Sequence, residues 1–182
     1  ATLAFFLYIK GELLGKRRHY SIIESKGFQE LMNSGFNIEE VNAYKGLSGI
    51  YNDYLFDIYY DWSTHVTPKK AVVFNVYFIP PTLKSGETDH ARLKALSEKY
   101  DISIWSAKSY SFWWREGNII MKNGVGIFNP SYKKLIQRMD IAVNILKTEN
   151  LKPIDRKTLN TWRKASPMDN IPEIELYYKE KK

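Results

Sequence analysis

From residue 132 the chain reads "YKKLIQRMDIAVNILKTEN", with apolar Tyr132, Leu135, Ile136, Met139, Val143 and Leu146 at offsets 0, 3, 4, 7, 11 and 14. That spacing is one face of a period-3.6 helix, and it predicts an amphipathic helix from Tyr132 to about Asn150. Ser131, after Pro130, is placed to cap its start, and Asn150 with Pro153 stops it. An apolar stripe of this length has to be covered, so the rest of the chain must supply a broad apolar surface, and a sheet is the natural one.

The sheet is legible upstream. In "GLSGIYNDYLFDIYYDW", Asn52-Asp53 lies between two Tyr-rich segments and predicts a turn joining two strands. The second strand alternates: Phe56, Ile58, Tyr60 and Trp62 face one way, and Asp57, Tyr59 and Asp61 the other. Its expected partner is "KKAVVFNVYFIPP", reached through the loop 63–68 and stopped by Pro80-Pro81. Further on, Tyr110, Phe112 and Trp114 alternate with Ser109, Ser111 and Trp113; Glu116-Gly117 and Asn123-Gly124 read as turns, so two or three more strands are expected there.

Shorter helices are expected over Tyr20 to Met32, with Gly27 as a weak point, and over "TDHARLKALSEKY", capped by Thr88 or Ser85. Another is expected near 158–164, the segment after Asn33-Ser34-Gly35 reads as a polar connector, and "IELYYK" reads as a terminal strand. Strands and helices come in runs, which predicts an α+β fold: a mostly antiparallel sheet of about five to seven strands packed by the helix at 132–150 and shorter helices.

With 182 residues, 44% hydrophobic and 15% aromatic, the chain has enough apolar side chains for one sizeable core. The absence of Cys excludes disulfides, thiolate metal sites and thiol catalysis. A net charge of +7 favours anionic partners: lipid head groups, nucleic acid or an acidic protein.

The beginning of the sequence, "ATLAFFLYIKGELLGKRRHY", places nine residues, apolar except for one Thr, ahead of the basic run Lys16, Arg17, Arg18 and His19. As a helix those nine residues rise only about 13 Å against a bilayer core of roughly 30 Å. They are followed by Lys10-Gly11-Glu12 and not by a small-residue cleavage site, which argues against a signal peptide. Two readings stay open: the end of a membrane anchor, or a strand from Leu3 to Ile9 buried on both faces. Residues 1–14 are accordingly set apart as anchor remnant or buried strand, and residues 15–182 as one α+β domain. If the run is an anchor, the adjacent cations put the folded domain on the cytoplasmic side; otherwise the protein is expected in the cytoplasm.

No motif with defined chemistry stands out. Asp57, Asp61 and His65 suggest an acid–base or metal set, but residues four apart on a strand lie about 13 Å from each other, so a solvated polar face is the simpler reading. Asp89-His90 reads as a helix start with His90 half-buried in the apolar stripe. The three His residues, at 19, 65 and 90, show no ligand spacing, and no cofactor is expected. The remaining feature is a set of cations and aromatics, Lys16, Arg17, Arg18, Trp105, Trp113, Trp114 and Arg115, which is the candidate binding surface.

An apolar beginning, a basic juncture, a short helix, "LSGIYNDYLFDIYYDW" and later "IIMKNGVGIFNPSYKKLIQRMDIAVNIL" give a layout similar to that of small, uncharacterised, membrane-anchored bacterial proteins with one α+β domain after a single span. The likeness implies a membrane anchor over a buried strand, and carries no functional residue. The expected function is a non-enzymatic, membrane-tethered module that binds a protein partner, with an inhibitor or immunity-type role as one form. A soluble nucleic-acid binder using the same surface is the less favoured alternative, and an enzyme with a dispersed acid–base site is the other.

Overall fold

The computed structural model describes residues 14–41, 44–61, 71–100, 110–125 and 128–165. Among these, the helices are α1 (Leu14–Ile23), α2 (Lys26–Asn33), α3 (His90–Lys99), α4 (Tyr132–Thr148) and α5 (Arg156–Ala165). The strands are β1 (Asn37–Val41), β2 (Tyr44–Tyr51), β3 (Tyr54–Asp61), β4 (Ala71–Tyr77), β5 (Tyr110–Arg115) and β6 (Asn118–Gly124). They form one antiparallel sheet in the order β1-β2-β3-β4-β6-β5, so the α+β class and the strand number agree with the sequence reading.

The inner face of the sheet follows directly from strand parity. Phe56, Ile58 and Tyr60 of β3 lie beside Val76, Phe74 and Val72 of β4, and these continue into Ile119 and Met121 of β6, then Trp114 and Phe112 of β5. Against this surface pack Ile22 and Ile23 of α1, Phe28 and Leu31 of α2, Leu93 and Leu96 of α3, and Leu135, Met139, Val143 and Leu146 of α4. The α4 stripe is therefore core, as its spacing predicts. Ser131 caps the helix, its Oγ accepting from the Lys134 N–H, and Asn150 at φ 54° turns the chain out of it.

The Asn52-Asp53 turn also matches: both residues have positive φ, 47° and 75°, the twist that lets a two-residue loop join β2 to β3. Gly117, at φ 86°, does the equivalent work between β5 and β6.

Several expectations are corrected. The single helix over residues 20–32 is two helices, α1 and α2, separated by Glu24 and Ser25. The polar connector contains β1, an end strand that needs only a modest apolar content because, among the described residues, one of its flanks has no neighbour in the sheet. Asn123-Gly124 is not a hairpin turn; both residues lie in β6, paired on one side with Val72 and Ala71, and Asn123 on the other with Tyr110. The cap of α3 is Asp89, which accepts from the Arg92 N–H, and His90 is exposed, because the apolar side of that short helix is set by Leu93 and Leu96. Trp62, the 63–68 loop, "IELYYK" and residues 1–9 lie outside the described residues. No helix among the described residues is long and apolar enough to cross a membrane.

One buried titratable group ties α1 to the sheet. His19 is almost fully buried, its imidazole hydrogen-bonds the Tyr60 backbone, and burial foremost, with Lys45 nearby, holds its pKa below the ordinary 6.5. The unfolded chain therefore takes up a proton near pH 6.5 that the folded chain resists, so the His19 contribution is complete above that pH and is lost as pH falls below it. Denaturant midpoints measured between pH 7 and pH 5 should decline with acidification, and the decline should be shallower in His19→Gln. Identical slopes for the two proteins would show that His19 is not the group responsible.

Candidate interaction surface

The outer face of the sheet is built from the residues that alternate with the core positions. A registered row crosses it from Ser48 of β2 through Asp57 of β3 and Asn75 of β4 to Ile120 of β6 and Trp113 of β5. The expectation of a solvated polar face does not hold here: Ser48, Asp57 and Asn75 are all buried, Asp57 completely. The Tyr77 hydroxyl donates to Asp57 Oδ2 at 2.7 Å. Ser48 Oγ accepts from Arg156 at 3.1 Å, and the same guanidinium pairs with Glu39 of β1 at 2.7 Å.

Arg156 opens α5, which lies on this outer face: Leu159 and Ile154 pack with Leu55 and Tyr77. Hydrogen bonds to a buried carboxylate and hydroxyl are what make such groups tolerable away from water. The polar centre of the face thus holds two hydrogen-bonded sets, Tyr77 with Asp57 and Arg156 with Ser48 and Glu39.

Towards β5 the face is more open. Lys122 of β6 pairs with Asp61 of β3 at 3.3 Å and lies 5.2 Å from the centre of the Trp113 ring. Trp113 and Arg115 are both half-buried and point the same way from β5, the last strand in the sheet order. This cluster joins an indole, a guanidinium and an ion pair at one margin of the sheet.

The seven sequence-derived surface residues do not form one surface. Trp113 and Arg115 come together on the outer face. Trp114, on the opposite face, is buried in the core with its ring against Phe78 and Tyr100, so it leaves the candidate surface. Arg17 is exposed on α1, and Arg18 is half-buried and hydrogen-bonds the Tyr60 side chain, in the helix layer on the inner side of the sheet. Lys16 belongs to α1, but its side chain, like Trp105 and His65, lies outside the described residues.

Sequence reading missed Ser48, Tyr77, Asn75 and Arg156. Asn75 had a usable signal, being the lone polar residue inside "AVVFNVY"; Arg156 had none, because its partners Glu39 and Ser48 lie more than a hundred positions away. Among the described residues no group of three or more His, Asp or Glu is arranged to hold a metal ion. Comparison with known proteins gives no match to this chain among family models, curated proteins or solved structures.

Proposed function

We propose that the chain is a non-enzymatic protein-binding module, held at a membrane by its apolar N-terminal segment, with the outer margin at β5 as its partner surface. The observation that carries this reading is Trp113 set beside Arg115 on β5, the last strand of the sheet among the described residues, with Lys122 of β6, paired to Asp61 of β3, against the Trp113 ring. Trp and Arg dominate the energetics of protein interfaces, and an end strand offers backbone groups for strand addition. An inhibitor or immunity-type role is one form of such a module.

Two features favour this over nucleic-acid binding. The Lys122 charge is matched by Asp61, and Trp114 is turned into the core, which leaves the β5–β6 face without the pair of stacking aromatics that single strands use. The complete burial of Asp57 beneath Tyr77 likewise disfavours it as the base of a dispersed acid–base site.

A photo-cross-linking residue placed at Arg115 tests the reading in the source cells. The expected result is a discrete protein adduct in the membrane fraction, absent when the probe is placed at exposed Gln137 and lost on Trp113→Ala with the circular dichroism spectrum unchanged. A nucleic-acid adduct, or no adduct from position 115, overturns it.

A further inference from the structure

Away from the β5 margin, the junction of α1, α2 and α4 carries the most exposed aromatic ring of the described chain. Phe128 is 86% exposed and Tyr20 is 47% exposed. The two are brought near each other because Asn129, which follows Phe128, donates from Nδ2 to the Ser21 carbonyl at 3.0 Å, and Ser21 follows Tyr20. Around them stand exposed Arg17, one turn before Ser21 on α1, Lys26 at the start of α2, and Lys133 and Lys134 in the first turn of α4. The Lys26 side chain is 92% exposed.

The start of α2 is pressed against residues 130–132, so Lys26 and Lys133 line a single open cleft of about 500 Å³. Opposing carboxylates are few: Glu30, 3.9 Å from Lys26 and also lining the cleft, and exposed Glu24.

We infer that this junction is a docking surface for an anionic lipid bilayer, with Phe128 and Tyr20 entering the interfacial region while Arg17, Lys26, Lys133 and Lys134 meet the head-group charge. Exposed aromatic rings flanked by cations match a surface that is apolar below and negatively charged above. The inference rests on the reading of residues 1–9 as a membrane-held segment: that run ends five positions before α1, the helix bearing Arg17 and Tyr20, so a chain held there presents this junction to the lipid. An acidic protein would satisfy the cations too; what favours the bilayer is the apolar run that ends so few positions before α1.

The test is partitioning of the full 182-residue chain onto vesicles of phosphatidylcholine alone and onto vesicles that also contain phosphatidylserine. Binding to the neutral vesicles reads the apolar segment. The junction adds a further, phosphatidylserine-dependent gain; a basic side chain at an anionic surface strengthens binding about fivefold, so Lys26→Ala with Lys133→Ala should reduce that gain about 25-fold. Phe128→Ser should also lower binding to the anionic vesicles, while the lysine pair variant should leave binding to neutral vesicles unchanged. A gain that ignores both variants, or no gain at all, overturns the inference. If the chain ignores neutral vesicles yet keeps a variant-sensitive gain, the tether reading fails and the junction stands. Equal capture by polyglutamate, insensitive to Phe128→Ser, assigns the junction to an acidic protein and overturns the lipid reading.

Discussion

Met139→Asp should abolish the cooperative melt. Met139 is fully buried in the centre of the α4 stripe, against the inner face of the sheet. Truncating a buried Met already costs about 2–5 kcal/mol, and the substitution adds a carboxylate with no cationic partner in an apolar core. Domains of this size are stable by only about 5–15 kcal/mol, so the combined loss removes most or all of the margin. The matched control is exposed Gln137→Ala, two positions away, which should shift the midpoint by no more than about 0.5 kcal/mol equivalent. A variant at 139 that melts cooperatively near the parent temperature would mean that α4 does not pack on the sheet.

The second large effect has a sign opposite to the one propensity gives. Replacing a helical Gly with Ala ordinarily gains up to about 1 kcal/mol. At Gly27 an added Cβ would meet the Pro130 carbonyl oxygen and the Tyr132 backbone nitrogen, the former well inside contact distance, and both belong to backbone that cannot swing aside. Gly27→Ala should therefore destabilise, by about 1–3 kcal/mol as overpacking does, and Gly27→Val by more. For a chain of this length each kcal/mol lowers the melting temperature by about 2–4 °C, well within calorimetric resolution. A melting temperature that rises on Gly27→Ala would show that α2 and α4 stand farther apart.

Gly27 also shows where sequence reading stops. The residue reads as a weak point in a helix because propensity is local, while its reason for being Gly is a contact with a segment a hundred positions later. The α4 stripe and the Asn52-Asp53 turn were legible since each is specified within its own stretch: one by period, the other by two residues that tolerate positive φ. Alternation in β5 correctly put Trp113 and Trp114 on opposite faces, but not which face was core. That is decided by Ile119 and Val76, next to Trp114 across the register.

The basic run reads as a cluster in the sequence, yet helical spacing turns Arg17 outward and His19 inward, so one string of like residues supplies both a surface cation and a buried imidazole. The Asn123-Gly124 pair failed as a turn for the opposite reason: pairing with strands on both sides outweighs a two-residue preference. Half of the candidate interaction surface, Trp113 and Arg115, is legible as aromatics set beside cations in the sequence. Its surroundings, Lys122 and Asp61, come from the register of β3, β4 and β6.

The position of β6 between β4 and β5 bears on how the chain reaches this fold. Strands β1 to β4 pair with their neighbours in sequence, and β5 with β6 forms a hairpin, so two groups of local pairings can assemble independently. The seam between them, β4 with β6, joins Tyr77 to Asn118 and Ala71 to Gly124 across the whole of α3. Among the strand pairings, closing that seam is the step with the greatest loop entropy, and it sets the folding rate more than any hairpin does. Until it closes, "AVVFNVY" is an unpaired edge rich in β-branched residues, the kind of segment that recruits other chains. Slow refolding and concentration-dependent aggregation should therefore arise together, from the same strand.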